Sequence, residues 1–158
     1  MSHIAIVDTC VFLNVLDVPG FNQDRHDIIL ELETFITEGR SNLLLPFIAI
    51  IEAGNHIAQL ADGGARRLHG QTFVAQVQAA LSGDAPWTPT RLVDLSSWAG
   101  WLETYPDCAM RGLGLGDLSI VKEWEAACER HPLYRVHIWT IDHHLKGYDR
   151  PAHRWIEE

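Results

Sequence analysis

The sequence predicts an α/β fold built on a central parallel sheet with helices on both faces. Three observations predict it. The short apolar runs at residues 3–8 and 43–45 lack the strict alternation of half-exposed strands and read as buried strands, with a third strong strand at 135–141. Between them lie segments with apolar residues at helical spacing, such as Ile28, Ile29, Leu32, Phe35 and Ile36. Strands that alternate with helices need crossovers, and crossovers make the strands they join parallel.

The first strand, 3–8, ends on Asp8. Residues 9–16 read as a helix start that Pro19-Gly20 breaks. A helix over 25–38 ends at Gly39, a residue suited to a helix C-terminus. The second strand, 43–45, is followed by Pro46, whose missing N–H is tolerated at a helix start, and by a helix over 47–60 that carries Glu52. Gly63-Gly64 separates it from a helix over 65–81. Residues 83–89 read as a loop, 91–95 as a short third strand, and 97–109 as one helix closed by Arg111-Gly112. Gly114-Leu115-Gly116 leads to Asp117 and a helix with Ile120, Val121, Trp124 and Cys128 on one face, ending at His131-Pro132. The strand at 135–141 runs into Asp142, and 153–156 reads as a weak edge strand. No linker divides the chain, so a single domain over 1–158 is expected.

Composition bounds the function. With 158 residues, 47% hydrophobic and 21% charged, the chain can bury one core and is not expected to be disordered. No apolar run approaches the roughly 18 residues of a membrane span. The N-terminus, Met1-Ser2-His3, lacks the basic region of a signal peptide. Cys10, Cys108 and Cys128 are odd in number and scattered, which encourages neither a disulfide framework nor a zinc knuckle. A reduced, cytoplasmic protein is the simple expectation. The formal charge of -9 argues against a general polyphosphate binder, because such affinity comes from Lys and Arg. It argues less against a nuclease, whose clustered carboxylates attract phosphate once cations neutralise them. The remaining charge suits a basic protein partner.

Four acids stand out. Asp8 and Asp142 lie at the ends of strands, where open parallel sheets bind ligands. Asp117 begins a helix after a glycine-rich turn. Glu52 sits inside a helix between Ile51 and Ala53, where a carboxylate is costly unless paired, protonated or on a metal. Each has a structural reading of its own: Asp8 and Asp117 as helix caps, Glu52 on a solvated stripe, Asp142 as a turn residue. Jointly, with no run of basic residues beside them, they suggest a cation site whose oxygen ligands suit Mg²⁺ or Mn²⁺.

The segments carrying these acids are Ile6-Val7-Asp8-Thr9-Cys10, Ile48-Ala49-Ile50-Ile51-Glu52, Leu115-Gly116-Asp117-Leu118-Ser119 and Trp139-Thr140-Ile141-Asp142. In order and context they resemble the successive motifs of PIN-domain proteins, through nearly the whole chain. The resemblance implies a three-layer α/β/α sandwich and divalent-metal hydrolysis of RNA, often by a bacterial toxin paired with an antitoxin. It makes Asp8, Glu52, Asp117 and Asp142 both catalytic residues and metal ligands. Thr9 and Thr140 become supporting residues, Thr140 through its hydroxyl, with Asn14 as a further polar site-former. The stretch between Glu52 and Asp117, with Trp98, Trp101 and Tyr105, is longer than in compact toxins. Lys122, Glu123 and Trp124 stand where small residues are commoner.

The reaction expected is hydrolysis by water, with metal in place of a side-chain nucleophile. Arg111 and Lys146 are the candidates for substrate contact. Arg66 and Arg67 read as a solvated helix face. His143-His144 are read as structural, since adjacent side chains do not easily share a face. Trp98, Trp101 and Trp124, at helical spacing, read as core or dimer packing. Expected partners are RNA, a basic antitoxin-like protein and a second copy in a homodimer. Gly112-x-Gly114-x-Gly116 lacks the spacing of a nucleotide loop, Cys10 replaces the second Asp of a haloacid dehalogenase, and no GxSxG elbow is present. The competing reading is a catalytically silent protein- or RNA-binding module.

Overall fold

The computed structural model describes residues 2–91 and 93–153. Five strands form one sheet: β1 (His3–Val7), β2 (Ser41–Leu45), β3 (Trp87–Pro89), β4 (Arg135–Trp139) and β5 (Asp149–Arg150). Their spatial order is β3-β2-β1-β4-β5. β1 runs parallel to β2 and β4, β3 runs parallel to β2, and β5 closes the edge antiparallel to β4. Among the described residues seven helices surround the sheet: α1 (Thr9–Val15), α2 (Arg25–Glu38), α3 (Phe47–Ala58), α4 (Gly63–Leu81), α5 (Leu95–Leu102), α6 (Tyr105–Met110) and α7 (Leu115–Arg130).

The central strand explains why its sequence does not alternate. Ala5 and Val7 enter one core with α1, α2 and α3, through Val11, Ile28 and Ala53 among others. Ile4 and Ile6 enter a second core with Leu118, Ile120 and Val121 of α7. Successive side chains of a strand point to opposite faces, so a strand covered on both sides is apolar throughout. The result is the expected α/β/α sandwich, mostly parallel. No helix among the described residues is long and apolar enough to cross a membrane.

Four local expectations are corrected. The third strand lies at Trp87–Pro89, within the segment read as a loop, and no strand occurs among the described residues of 91–95. Trp87 decides the register: it is 2% exposed and packs edge-on against Phe12 at 5.7 Å. Pro89 is tolerated because the strand is an edge. The expected helix over 97–109 is two helices, α5 and α6, with Pro106 in the first turn of the second. Proline cannot donate to the preceding turn and so ends it. β4 stops at Trp139, because Thr140 turns into the site described below. β5 was not expected. Its two residues are held by side chains: Arg135 pairs with Asp149 at 2.8 and 3.0 Å, and Arg150 donates to the carbonyls of Cys128, His131 and Tyr134. Of the expected edge strand at 153–156, His153 is not in a strand and the rest lies outside the described residues.

At the N-terminal end of the sheet, His3 and His137 face each other across β1 and β4, with ring nitrogens 2.6 Å apart and rings stacked at 4.6 Å. Burial lowers the pKa of both, His137 to about 4. The folded state therefore favours neutral histidine. The stability this contributes is complete above the ordinary value near 6.5 and is lost as pH falls toward about 4. The raised carboxyl pKa values described below act in the opposite sense. The histidine contribution is thus read as a difference: His137→Gln should flatten the acid slope of thermal unfolding by roughly 1 kcal/mol per pH unit between these limits. An unchanged slope would show that the pair does not titrate with folding.

Candidate metal centre

Asp8 follows β1 and Thr140 follows β4. The parallel register Val7↔Trp139 sets these two next residues side by side. Asp8 is buried, at 5% exposure, and caps α1: one carboxylate oxygen accepts from the Thr9 amide at 2.7 Å. The other accepts from the Thr140 hydroxyl at 2.7 Å and the Cys10 thiol at 3.2 Å. The Thr140 oxygen in turn accepts from the Asp142 amide at 2.9 Å, and Asp142 accepts from the His144 amide at 2.9 Å. Glu52 projects from α3 and accepts from the Thr9 hydroxyl at 2.9 Å. Its carboxylate rests against Gly116 at the start of α7, in space that a Cβ there would occupy. Asp117, in the first turn of α7, accepts from the Gly114 amide at 3.2 Å.

The structural and the functional readings of these acids therefore coexist. A carboxylate has about four lone-pair directions, and one or two bonds to a cap leave others free. All four acids line one concavity of ≈ 180 Å³, together with Thr9, Cys10, Leu13, Phe21 and His56.

Among the described residues, every hydrogen-bond donor to these acids is a neutral hydroxyl, amide or thiol. Burial raises the pKa of Asp8, Glu52 and Asp117, and the acids raise one another: Asp142 acts on Asp8, Asp117 and Asp8 on Glu52, Asp8 and Asp142 on Asp117. Opposing them are first the hydrogen bonds, from Thr140 to Asp8, Thr9 to Glu52 and Gly114 to Asp117, and then the histidines, His56 at Glu52 and His144 at Asp117. Among the described residues no Arg or Lys forms an ion pair with any of the four. A cluster of hard oxygen donors with no Arg or Lys partner among the described residues fits a hard divalent ion. Among the described residues, the trio with ligand atoms all within 4.8 Å of one another is Asp142, His143 and His144. No three of the four acids have ligand atoms gathered that closely among the described residues.

That trio corrects an expectation. His143 and His144 do converge, with ring centroids 4.0 Å apart, because the chain after Asp142 forms a tight turn rather than a strand or helix. Asn14 does not reach the concavity. It is 2% exposed, donates to the Cys10 carbonyl at 2.8 Å and accepts from the Asp24 amide at 3.1 Å. Arg111 and Lys146 are exposed and do not line the concavity; Arg111 donates to the Asp107 carbonyl at 3.3 Å. Arg66 closes the turn between α3 and α4 by donating to the Leu60 and Ala61 carbonyls. Trp124 packs on Tyr148 and donates to the Val136 carbonyl at 3.0 Å, while Trp98 and Trp101 pack on each other.

Sequence reasoning missed Cys10, Phe21 and His56. His56 was accessible to it, lying four residues from Glu52 on one helical face. Burial beside Asp8 pushes the Cys10 thiol up to about 12, so it is a protonated donor there and not a nucleophile. A larger concavity, ≈ 640 Å³, lies elsewhere. It contains Glu123, raised by burial and hydrogen-bonded to the Thr90 hydroxyl at 2.7 Å. Size favours that hollow, but the convergence of acids does not.

With this geometry in view, the chain resembles two solved structures. One is FitAcB from Neisseria gonorrhoeae, at 18% identity and a TM-score of 0.57, covering 91% of each chain. The other is VapBC2 from Rickettsia felis bound to a DNA fragment from their promoter, at 13% identity and a TM-score of 0.50, covering 87% of this chain and 99% of that one. The likeness is one of fold. No family model matches the chain, and no curated protein matches it in sequence. The PIN-family assignment expected from the four motifs is corrected accordingly: at these identities the comparisons carry a shared architecture and no family membership. Motifs of one or two residues record a chemistry more readily than a lineage.

Proposed function

We propose that this protein is a divalent-metal-dependent nuclease that hydrolyses RNA phosphodiester bonds, acting as the toxin of a toxin–antitoxin pair in the cytoplasm. The observation that carries the nuclease reading is the convergence of Asp8, Glu52, Asp117 and Asp142 on one concavity with no Arg or Lys partner among the described residues. These four carboxylates would hold Mg²⁺ or Mn²⁺, which when bound would supply positive charge and Lewis acidity at a phosphodiester. The chain's own residues do the positioning. Thr140 orients Asp8 and ties it to the backbone of Asp142; Thr9 holds Glu52; the Gly114 amide holds Asp117. Water would serve as the nucleophile in such a site, so no side chain is needed in that role.

A hollow of ≈ 180 Å³ is smaller than the roughly 300 Å³ that encloses a small ligand. It admits a short piece of a polymer, the remainder lying across the surface. Both structural neighbours are toxin–antitoxin assemblies, which supports the proposed pairing. A net charge of -9 favours a basic antitoxin-like partner. The three free cysteines accord with a reducing compartment.

The test is incubation with total RNA and with single-stranded DNA, with Mg²⁺, with Mn²⁺ and with chelator, followed by mapping of the product ends. Metal-dependent cuts in RNA bearing 5′-phosphate and 3′-hydroxyl ends are expected. Cleavage that survives chelation would remove the metal from the mechanism. Cuts confined to DNA would change the substrate.

A further inference from the structure

Leu13, Phe21 and His56 line the acidic hollow without holding any of its acids. The rings of Phe21 and His56 meet at 4.7 Å and 49°, forming a half-buried aromatic wall. Phe21 rests one side on the core between α1, α2 and α3 and leaves another on the hollow.

The segment carrying Phe21 is tightly constrained. Asp17 is the one non-glycine residue at positive φ among those described, at 58°, a left-handed conformation that side chains adopt at a cost. Asn22 donates to the Asp17 carboxylate at 2.9 Å, and the Phe21 amide donates to the Val18 carbonyl at 3.0 Å. Buried Asn14 ties both ends, donating to the Cys10 carbonyl and accepting from the Asp24 amide. Strain maintained by a buried anchor marks a segment whose placement matters. The placement achieved is a ring beside four carboxylates.

We infer that Phe21 and His56 form a stacking wall for one unpaired base of a single-stranded nucleic acid, next to the phosphodiester over Asp8, Glu52, Asp117 and Asp142. The inference rests on the nuclease reading and names its substrate class. Bases offer flat apolar faces, and aromatic side chains stack on them with little regard to sequence. A duplex keeps its bases stacked and cannot present one. Trp87, Trp124 and Trp139 are not alternatives: none of them lines the hollow, and Trp87 and Trp139 are buried in the core.

The test measures single-turnover cleavage by the full chain over a range of enzyme concentrations. The substrates are an RNA with a mapped cut, the same RNA carrying an abasic residue at each position flanking the cut, and its duplex. Phe21→Ala should raise the half-saturating concentration roughly ten-fold with little change in the saturating rate. Phe21→Tyr should behave as wild type. Phe21→Leu, which keeps the core contact and loses the ring, should behave as Phe21→Ala with an unchanged melting temperature. One abasic position should cost wild type the same factor and cost Phe21→Ala nothing further. Equal losses on intact and abasic RNA, no loss at all, or equal cleavage of the duplex would overturn the stacking wall while leaving the nuclease reading intact. A wild-type protein that cuts no nucleic acid would overturn both.

Discussion

Asp8→Asn should abolish cleavage and make the metal-free protein more stable. The two effects have one origin. Asp8 is buried, its pKa is raised first by that burial, and the charge of Asp142 raises it further. Ionised Asp8 is therefore held at a cost, which the amide removes while keeping the shape and the oxygen that accepts from the Thr9 amide. For a chain of this length, each kcal/mol removed raises the melting temperature by about 2–4 °C. The same substitution deletes one of the proposed ligand charges. Loss of groups that only orient metal ligands costs about 10–100-fold, so loss of the ligand itself should exceed about 100-fold in cleavage rate. Metal bound to the native state alone, at a hundred times its dissociation constant, stabilises wild type by about 2.7 kcal/mol, and the variant should gain almost none of it. The stability order should thus invert: the variant above wild type in chelator, wild type above the variant in Mn²⁺ or Mg²⁺. Differential scanning fluorimetry in both conditions reads this directly. A variant less stable than wild type already in chelator would mean that the bonds Asp8 accepts from the Thr140 hydroxyl and the Cys10 thiol, which an amide nitrogen cannot accept, outweigh the cost of burying its charge.

The inversion bears on what the sequence could reveal. The end of an apolar run is legible, so the residues alone place Asp8 after β1 and Asp142 after β4 at the carboxyl edge of a parallel sheet. Their adjacency depends on β4 pairing with β1 rather than with β2, which no local pattern states. Glu52 was legible as an anomaly, a charge inside an apolar helix. That it meets the start of α7 was not. Asn14 shows the limit from the other side: a polar residue buried in a helix reads the same whether it faces a ligand or a loop backbone. Phe21 was invisible because its position depends on a turn with positive φ at Asp17, an aspartate like any other in composition. The two shortest strands escaped for a related reason. β3 is defined by burial of Trp87 at an edge and β5 by bonds from Arg135 and Arg150, and neither leaves a periodicity to read.

Gly116→Ala carries the second large effect. Ordinarily alanine for glycine in a helix stabilises by about 0.5–1 kcal/mol, because less backbone entropy is lost on folding. Gly116 lies in the first turn of α7, and its added Cβ would collide with the Glu52 carboxylate. That carboxylate rests where the unpaired N–H groups of a helix start carry partial positive charge, a place that favours an anion. Alanine should push it out, away from Asp117 and from the Thr9 hydroxyl that holds it at 2.9 Å. The fold should persist, since Glu52 can swing toward solvent. The metal-induced rise in melting temperature should vanish, and cleavage should fall by more than about 100-fold, as for loss of a ligand. Relief of the collision supplies the control. Aspartate at position 52 is one methylene shorter, so Glu52→Asp in the Gly116→Ala background should recover part of the metal response that Gly116→Ala alone has lost. A double-mutant cycle with a coupling energy near zero would mean that the two residues act independently. A Gly116→Ala protein with the full metal response would show that Glu52 is not needed at the start of α7, leaving at most three acids to hold the ion.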